Sequence, residues 1–287
     1  MAELTVSIAT GGNRVLVLNC LASVYRAAAG LDVEVVVVDN KGSDGTAGAI
    51  REAYPGARVI VNGTQEGFSA NHNKALKTAS GDYALILNDD TVLDINALRV
   101  MVEFMQSHTE AGAAGGMLLN PDGTPQYAGR DRPTLMAAVM ISLGLHRLFP
   151  DNPVTSGYFM KKDYTEAAEV ESVNGAAMML RMDAVRKVGL LDKGFYLFCE
   201  DVDYSIRLRE AGYKLYFLPD AKITHVRGAS TGGRRIVWIY HQSLLRFYKK
   251  HLAKKHIFIV NWLVYAGIWA RLAVYMAYGN VRRKRKV

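Results

Sequence analysis

The sequence predicts an α/β fold in which helices cover both faces of a mostly parallel sheet. Two observations carry that reading. Apolar runs alternate with stretches of helical spacing from Leu4 to Leu118, the order expected of strand–helix–strand units. Residues 33–38 and 83–87 form continuous apolar runs rather than alternating ones, as strands buried on both faces require.

Residues 4–9 read as a strand, 14–28 as a helix and 33–38 as a second strand bounded by acids. Ser43–Asp44–Gly45–Thr46 opens the next helix, with Ser43 or Asp44 as its cap. A short strand at 58–61, a helix at 69–79 and a buried strand at 83–87 follow, the last ending in Asn88–Asp89–Asp90. A helix at 94–107 and a strand at 113–118 complete the alternation. Pro121–Asp122–Gly123 reads as a turn, and residues 130–165, with Pro133, Pro150 and Pro153, as an irregular loop over the site. Order resumes with a strand at 172–181, a helix at 183–188 stopped by Gly189, and a helix at 200–211 ended by Gly212. Strands at 213–218 and 222–226 precede a loop at 227–235 rich in Gly, Ser, Thr and Arg.

Composition narrows the function. Half of the 287 residues are hydrophobic and 22% are charged, which excludes a disordered chain and allows a sizeable core. Two cysteines, Cys20 and Cys199, build neither a disulfide framework nor a multi-cysteine zinc site, and fit a reducing compartment. The opening residues have no basic stretch and no long apolar run, so they do not read as a secretory signal. The net charge of +8 is unevenly distributed: residues 1–220 carry 20 Lys/Arg against 27 Asp/Glu, whereas 221–287 carry 15 Lys/Arg and no acid. An acidic body with a basic tail points to an anionic partner for the tail.

In open α/β sheets ligands bind beyond the carboxyl ends of the strands. That rule singles out residues 9–14, 39–46 and 88–91. Carboxylates crowded at the tip after residue 87 suit a hard cation such as Mg2+ or Mn2+, or else form an exposed turn with a helix cap at Asp90 or Thr91. Glu200–Asp201–Val202–Asp203 follows the aromatic, apolar stretch 195–199. Burial there raises a carboxyl pKa and equips it to take a proton, whereas a helix N-terminus opposes that shift and is a reason of its own for acids at this place. His225 reads as a ligand or a structural histidine. Arg227, Arg234 and Arg235 read as a phosphate clamp or a solvated basic loop.

Taken together these motifs have a family likeness. Asp39 after a strand, Gly67–Phe68–Ser69–Ala70–Asn71–His72–Asn73–Lys74, Leu87–Asn88–Asp89–Asp90–Thr91, Asn174–Gly175–Ala176, Phe198–Cys199–Glu200–Asp201–Val202–Asp203 with Arg207, and Thr224–His225 occur in that order. The chain resembles glycosyltransferase family 2, inverting nucleotide-sugar transferases of GT-A fold, and within it the rhamnosyltransferase-like branch, over about residues 4–250.

The resemblance implies a GT-A catalytic domain at 1–235, with a nucleotide-sugar-binding half (1–118) and an acceptor-binding half (119–235), followed by a helical region at 236–287. It implies that Asp201 is the general base and that Glu200 beside it orients the site. It implies that Asp39 reads the pyrimidine edge of a dTDP- or UDP-linked donor, and that Asn73 and Lys74 lie near the nucleotide and its diphosphate. Thr10, Asn88, Asp89, Arg234 and Arg235 complete the donor set, and Asp90 and His225 hold the divalent cation. Asn88 stands where many relatives have Asp. Residues 9–14 lack the Tyr that covers the base in relatives.

The tail adds residues 257–278, apolar except for Asn261 and Arg271, with basic residues on both sides. The length could cross a bilayer, but flanking cations and scattered aromatics fit a helix lying in an anionic interface. Packing on the catalytic domain and a true span are the other readings. The expected partners are therefore a nucleoside-diphosphate sugar, a glycan or polyprenyl-linked acceptor and an anionic membrane surface. Nucleic acid is not among them, since no compact motif with interleaved aromatics appears. The expected location is cytoplasmic, on the inner face of the cell membrane. The alternative function is an inactive member that binds nucleotide or glycan.

Overall fold

The computed structural model describes residues 3–42, 44–126, 129–130, 149, 165–226 and 233–284. Ser43, residues 131–148 and 150–164 of the expected loop, and residues 227–232 with Arg227 lie outside the described residues.

Four strands form the parallel half of the main sheet: β1 (Leu4–Thr10), β2 (Val33–Asp39), β3 (Arg58–Val61) and β4 (Tyr83–Asn88), in the spatial order β3-β2-β1-β4. The β-branched and leucine side chains of β1 and β4 and Val35–Val38 of β2 are buried, which explains the unbroken apolar runs, whereas Val61 on the edge strand β3 is exposed. Register aligns the carboxyl ends: Thr10 lies opposite Asp39, and Ala9 opposite Asn88. Between them run α1 (Arg14–Ala27), α2 (Thr46–Ala53) and α3 (Phe68–Leu76). The cap of α2 is Gly45, in left-handed backbone (φ 81°) and with no side-chain cap hydrogen bond, rather than Ser43 or Asp44; Asp44, one residue further out, accepts the Thr46 N–H on its Oδ1 at 3.0 Å.

The parallel order ends at β4. After β5 (Thr91–Leu93), α4 (Ala97–Ser107), β6 (Ala111–Leu119) and the two-residue strands β7 (Gly129–Arg130), β8 (Ala168–Glu169) and β9 (Ser172–Val173), strand β10 (Ala177–Arg181) enters antiparallel between β4 and β6. The expected strand at 172–181 is thus broken at Asn174–Gly175–Ala176, a turn tied by the Ala176 N–H to Asn174 Oδ1 at 2.9 Å. The expected helix at 94–107 begins only at Ala97, because the Asp94 N–H still donates to the Lys222 carbonyl at 3.0 Å and the Asp94 carboxylate accepts the Asn96 N–H at 3.1 Å in a turn before the helix.

Next come α5 (Met182–Val188), α6 (Glu200–Glu210) and β11 (Lys214–His225). The two strands expected at 213–226 are one, with a register shift between Leu218 and Lys222. Pro219, which has no N–H to give a ladder, falls in that shift. Strand β11 runs parallel to β6 and ends antiparallel to β5, with His225 opposite Thr91. Helix α7 (Arg234–Phe247), a π-turn segment (Tyr248–Leu252) and a 3-10 turn (Ala253–Lys255) lead into α8 (Phe258–Lys284). Helices α7 and α8 form an antiparallel hairpin, with Trp238 beside Trp269 and Tyr248 beside Tyr265. Arg234 and Arg235 therefore open a helix rather than close a loop.

Candidate functional site

The aligned ends of β1, β2 and β4 make the floor of the site. Asp39 is fully buried. Its Oδ1 accepts the N–H groups of Lys41 and Gly42 at 3.1 Å each, while its Oδ2 is buried without a partner. An acceptor held in place but unanswered is what a ligand donor requires. Beside it an amide network fixes the neighbouring loop: Asn62 Nδ2 donates to Asn40 Oδ1 at 2.9 Å and to Asn71 Oδ1 at 2.7 Å. Lys74 Nζ joins this network, 2.6 Å from Asn62 Oδ1 and 2.7 Å from Glu66 Oε1.

At the β4 tip the acids differ. Burial pushes the Asp89 carboxyl up to about 6, against hydrogen bonds from the Thr10 hydroxyl and the Gly11 N–H and with the Asp90 charge adding to the rise. Thr10 and Asp89 are thus joined to each other, tying the β4 tip to the loop after β1. Asp90 instead meets β11: its carbonyl accepts the Val226 N–H at 2.8 Å, and its Oδ1 stands 3.2 Å from His225 Nε2.

Gln126 decides what that last contact means. Its Nε2 donates to the His225 carbonyl at 2.7 Å and to Asn120 Oδ1 at 2.9 Å. Its Oε1 then accepts from His225 Nδ1 at 3.0 Å. A donor at Nδ1 leaves the lone pair of a neutral imidazole on Nε2, consistent with the Asn88 Nδ2 donor 3.4 Å away. That lone pair faces the Asp90 carboxylate, whose Oδ1 has no hydrogen-bond partner. Two facing acceptors require a proton or a cation between them. Among the described residues no three His, Cys, Asp or Glu side chains converge on one point, so Asp90 and His225 stand as a pair.

Asp201 lies in the first turn of α6. Its Oδ2 accepts the Gly175 N–H at 3.2 Å and its Oδ1 the Val202 N–H at 2.8 Å. The Asn174–Gly175–Ala176 turn links it to β4, because the Asn88 N–H donates to the Ala176 carbonyl at 3.0 Å. Glu200 is buried next to it. The approach to this turn is strained: Phe198 and Cys199 both have left-handed backbone, φ 72° and 66°. Such conformations cost about 1–2 kcal/mol each. Neighbours hold them, with Ser243 Oγ donating to the Leu197 carbonyl at 2.7 Å and the Phe68 N–H to the Tyr196 carbonyl at 2.7 Å. Gly67 permits that approach, since a Cβ there would stand 2.5 Å from the Tyr196 oxygen.

Not every expected residue faces this cleft. Asn73 is engaged at both ends, with Nδ2 donating to the Leu191 carbonyl at 2.8 Å and Oδ1 accepting the Leu191 N–H at 3.0 Å. It holds the 190–199 loop in place. Arg235 lies over the Tyr196 ring at 5.9 Å, and Arg234 is exposed beside it on α7. Sequence reasoning missed Gln126, which lies just beyond the Pro121–Asp122–Gly123 turn with no motif around it. It also missed the junction at Asp203, where Arg207 Nε (3.0 Å), Lys250 Nζ (2.6 Å) and His251 Nε2 (2.7 Å) converge on one buried carboxylate. Three acids within four residues at a helix start give no hint of which will be neutralised by a side chain 48 residues away.

Comparisons with known proteins bear on this arrangement. The model of the family described as "Glycosyl transferase family 2" matches residues 6–189. The chain is 26% identical over 211 residues to the N-acetylglucosaminyl-diphospho-decaprenol L-rhamnosyltransferase of Mycobacterium tuberculosis, covering 70% of this chain and 68% of that one. It is 25% identical over 201 residues to rhamnosyltransferase WbbL of Escherichia coli, covering 67% of this chain and 72% of the relative. Among solved structures, GalNAc-T7 with UDP, GalNAc and Mn2+ matches 87% of the chain with a TM-score of 0.61 at 14% identity. The chain spans about half of that structure, 48%, and the likeness is one of fold.

Proposed function

The chain belongs to glycosyl transferase family 2, and from that premise we propose that it is an inverting transferase. It moves a sugar, rhamnose from dTDP-rhamnose foremost, onto a hydroxyl of a polyprenyl-diphosphate-linked glycan in cell-surface polysaccharide synthesis. The observation that carries this reading is the set of unanswered acceptors along one row of strand ends: Asp39 Oδ2, and Asp90 Oδ1 facing His225 Nε2. The names of the two rhamnosyltransferase relatives support the sugar, and that of the mycobacterial one supports the lipid-linked acceptor.

Asp39 Oδ2 accepts the imide N–H of the pyrimidine, a group that thymine and uracil share. UDP-sugars remain the second donor class for that reason. Asp90 and His225 fit a divalent cation as one carboxylate and one imidazole, with diphosphate and water oxygens completing the shell. When bound, Mg2+ or Mn2+ neutralises charge on the leaving diphosphate. Gln126 keeps His225 in the tautomer that binds. Asp201, held by two backbone N–H groups, takes the proton of the acceptor hydroxyl. That oxygen forms its bond to the anomeric carbon from the face opposite the diphosphate. The bond to the diphosphate breaks with its electron pair, and the anomeric configuration inverts.

The tail supports attachment to the inner face of the cell membrane. Residues Phe258–Ala277 have a mean hydropathy of 1.4 and are only 6% buried. Phe258 (81% exposed), Ile259, Trp262, Leu263 and Val274 are all exposed. Asn261, which the sequence counts against insertion, turns inward and donates to the Ala253 carbonyl at 3.0 Å. Such a helix lies in the interface with its apolar face in the lipid. A donor screen reading nucleoside diphosphate release tests the function. Release from a dTDP- or UDP-sugar only when a glycan acceptor is present supports it, and no release from any pyrimidine donor refutes it.

A further inference from the structure

Arg271 is the only charged residue between Ile257 and Tyr278. A guanidinium placed in an apolar helix needs an anion or another strong acceptor. The hairpin cannot supply a carboxylate, because the last acid of the chain is Asp220. Among the described residues Arg271 has two tyrosine rings, Tyr240 and Tyr275, each 5.4 Å from its Cζ, and its buried Nε has no hydrogen-bond partner. His241 borders the same place. It is 2% exposed, its Nδ1 donates to the Val237 carbonyl at 2.7 Å, and its Nε2 is buried without a partner. The buried Arg271 Nε is therefore an unanswered donor at this helix–helix seam.

The surroundings say what kind of anion would come. Trp238 and Trp269 lie 5.9 Å apart, both about half exposed, and tryptophan settles at the headgroup level of a membrane. On the protein side Phe198 meets Tyr240 edge-on at 5.4 Å, and Phe198 precedes Asp201 by three residues. Arg271, stacked on Tyr240, thus lies one aromatic contact from the segment that carries Asp201. A planar fork held between two rings is ordered in advance for phosphate oxygens.

We infer that the Tyr240–Arg271–Tyr275 seam binds a lipid-borne phosphate. The inference rests on the lipid-linked acceptor proposed above and deepens it. The phosphate could belong to the acceptor's diphosphate or to an anionic phospholipid, and the experiment separates the two.

Full-length protein and Arg271→Gln are titrated in metal-free buffer, so that the donor cleft does not compete, with the fluorescence of Trp238, Trp262 and Trp269, all on the hairpin, as the readout. The probes are farnesyl diphosphate, farnesol, and vesicles of phosphatidylglycerol or phosphatidylcholine. Farnesyl diphosphate should bind saturably, and Arg271→Gln should weaken it about tenfold or more. Arg271→Lys, which keeps the charge and loses the fork, should fall between the two. Loss confined to farnesyl diphosphate assigns the seam to the acceptor, and loss confined to phosphatidylglycerol vesicles assigns it to the bilayer. Unchanged binding of both by Arg271→Gln overturns the inference, as does an equal loss of farnesol binding. Failure of the wild type to bind either phosphate also overturns it. Retained affinity for dTDP or UDP with Mn2+ shows that the variants are folded. The donor screen with a water-soluble glycan tests the transferase reading separately, so each can fail alone.

Discussion

Asp39 and Asp203 are both fully buried carboxylates, and they lie in environments of opposite kinds. At the tip of β2, Asp39 meets two backbone N–H groups through one oxygen and nothing through the other. At the junction of α6 with the π-turn segment, Asp203 meets Arg207, Lys250 and His251. Burial raises the Asp203 carboxyl pKa, but hydrogen bonds from His251 and Lys250 and the charges of Arg207 and Lys250 outweigh it and hold the pKa lowered. Burial alone therefore does not mark a site. The answered carboxylate marks a joint of the fold, here the joint that fastens the C-terminal segment beside Asp201, whereas the unanswered acceptor is left to meet a ligand.

The contrast is open to breakage at both ends. Asp203→Ala should lower unfolding stability by about 3 kcal/mol, because it strands cations gathered around a buried anion. Urea unfolding measures this, and a loss under about 1 kcal/mol would class the cluster with surface pairs. The contribution also depends on pH. A lowered carboxyl is fully stabilising above the unfolded value of about 3.9 and loses that effect as pH falls through the folded value. Below pH about 4 the wild type should therefore lose its stability advantage over Asp203→Ala. Asp201→Asn should cut kcat at least about a hundredfold with donor affinity nearly unchanged, as steady-state kinetics would show. Near-normal turnover would remove Asp201 from the role of base.

Smaller effects sharpen the open end. Asp39→Asn keeps an acceptor for Lys41 and Gly42 but substitutes an amide for the carboxylate. Pyrimidine nucleotide affinity should fall about tenfold by calorimetry while the melting temperature holds. Gln126→Leu frees the His225 tautomer, and the metal concentration for half-maximal activity should rise by about tenfold. No change there would mean that His225 is oriented by Asn88 alone.

The parallel half was legible because its signals are local. Unbroken valine and leucine runs of this length, alternating with helical stretches, fit buried parallel strands, and in such a sheet their ends gather at one edge, as Thr10, Asp39 and Asn88 do. The antiparallel entry of β10 was not legible, since residues 177–181 look the same in either direction. The break at Asn174–Gly175–Ala176 shows only as a turn-forming string. Asn73 matched a motif by position, yet its carboxamide holds Leu191, a partner 118 residues away. Asp203 and Gln126 escaped for the same reason: their partners lie 48 and 99 residues distant, and residue type does not encode such pairings. The tail was legible in composition but not in facing. Tyr248, Ala253 and His256, in the turns between α7 and α8, engage Asn261 and turn it inward.

The central claim is that the row of strand ends holds a metal–nucleotide complex through its unanswered acceptors. Calorimetric titration of dTDP and UDP into the full-length protein, with Mn2+ and with excess chelator, tests it most directly. Binding should be saturable with Mn2+, markedly weaker in chelator, and weaker again in Asp39→Asn. Binding that ignores both chelator and Asp39→Asn, or no binding of either nucleotide at millimolar concentration, would contradict it.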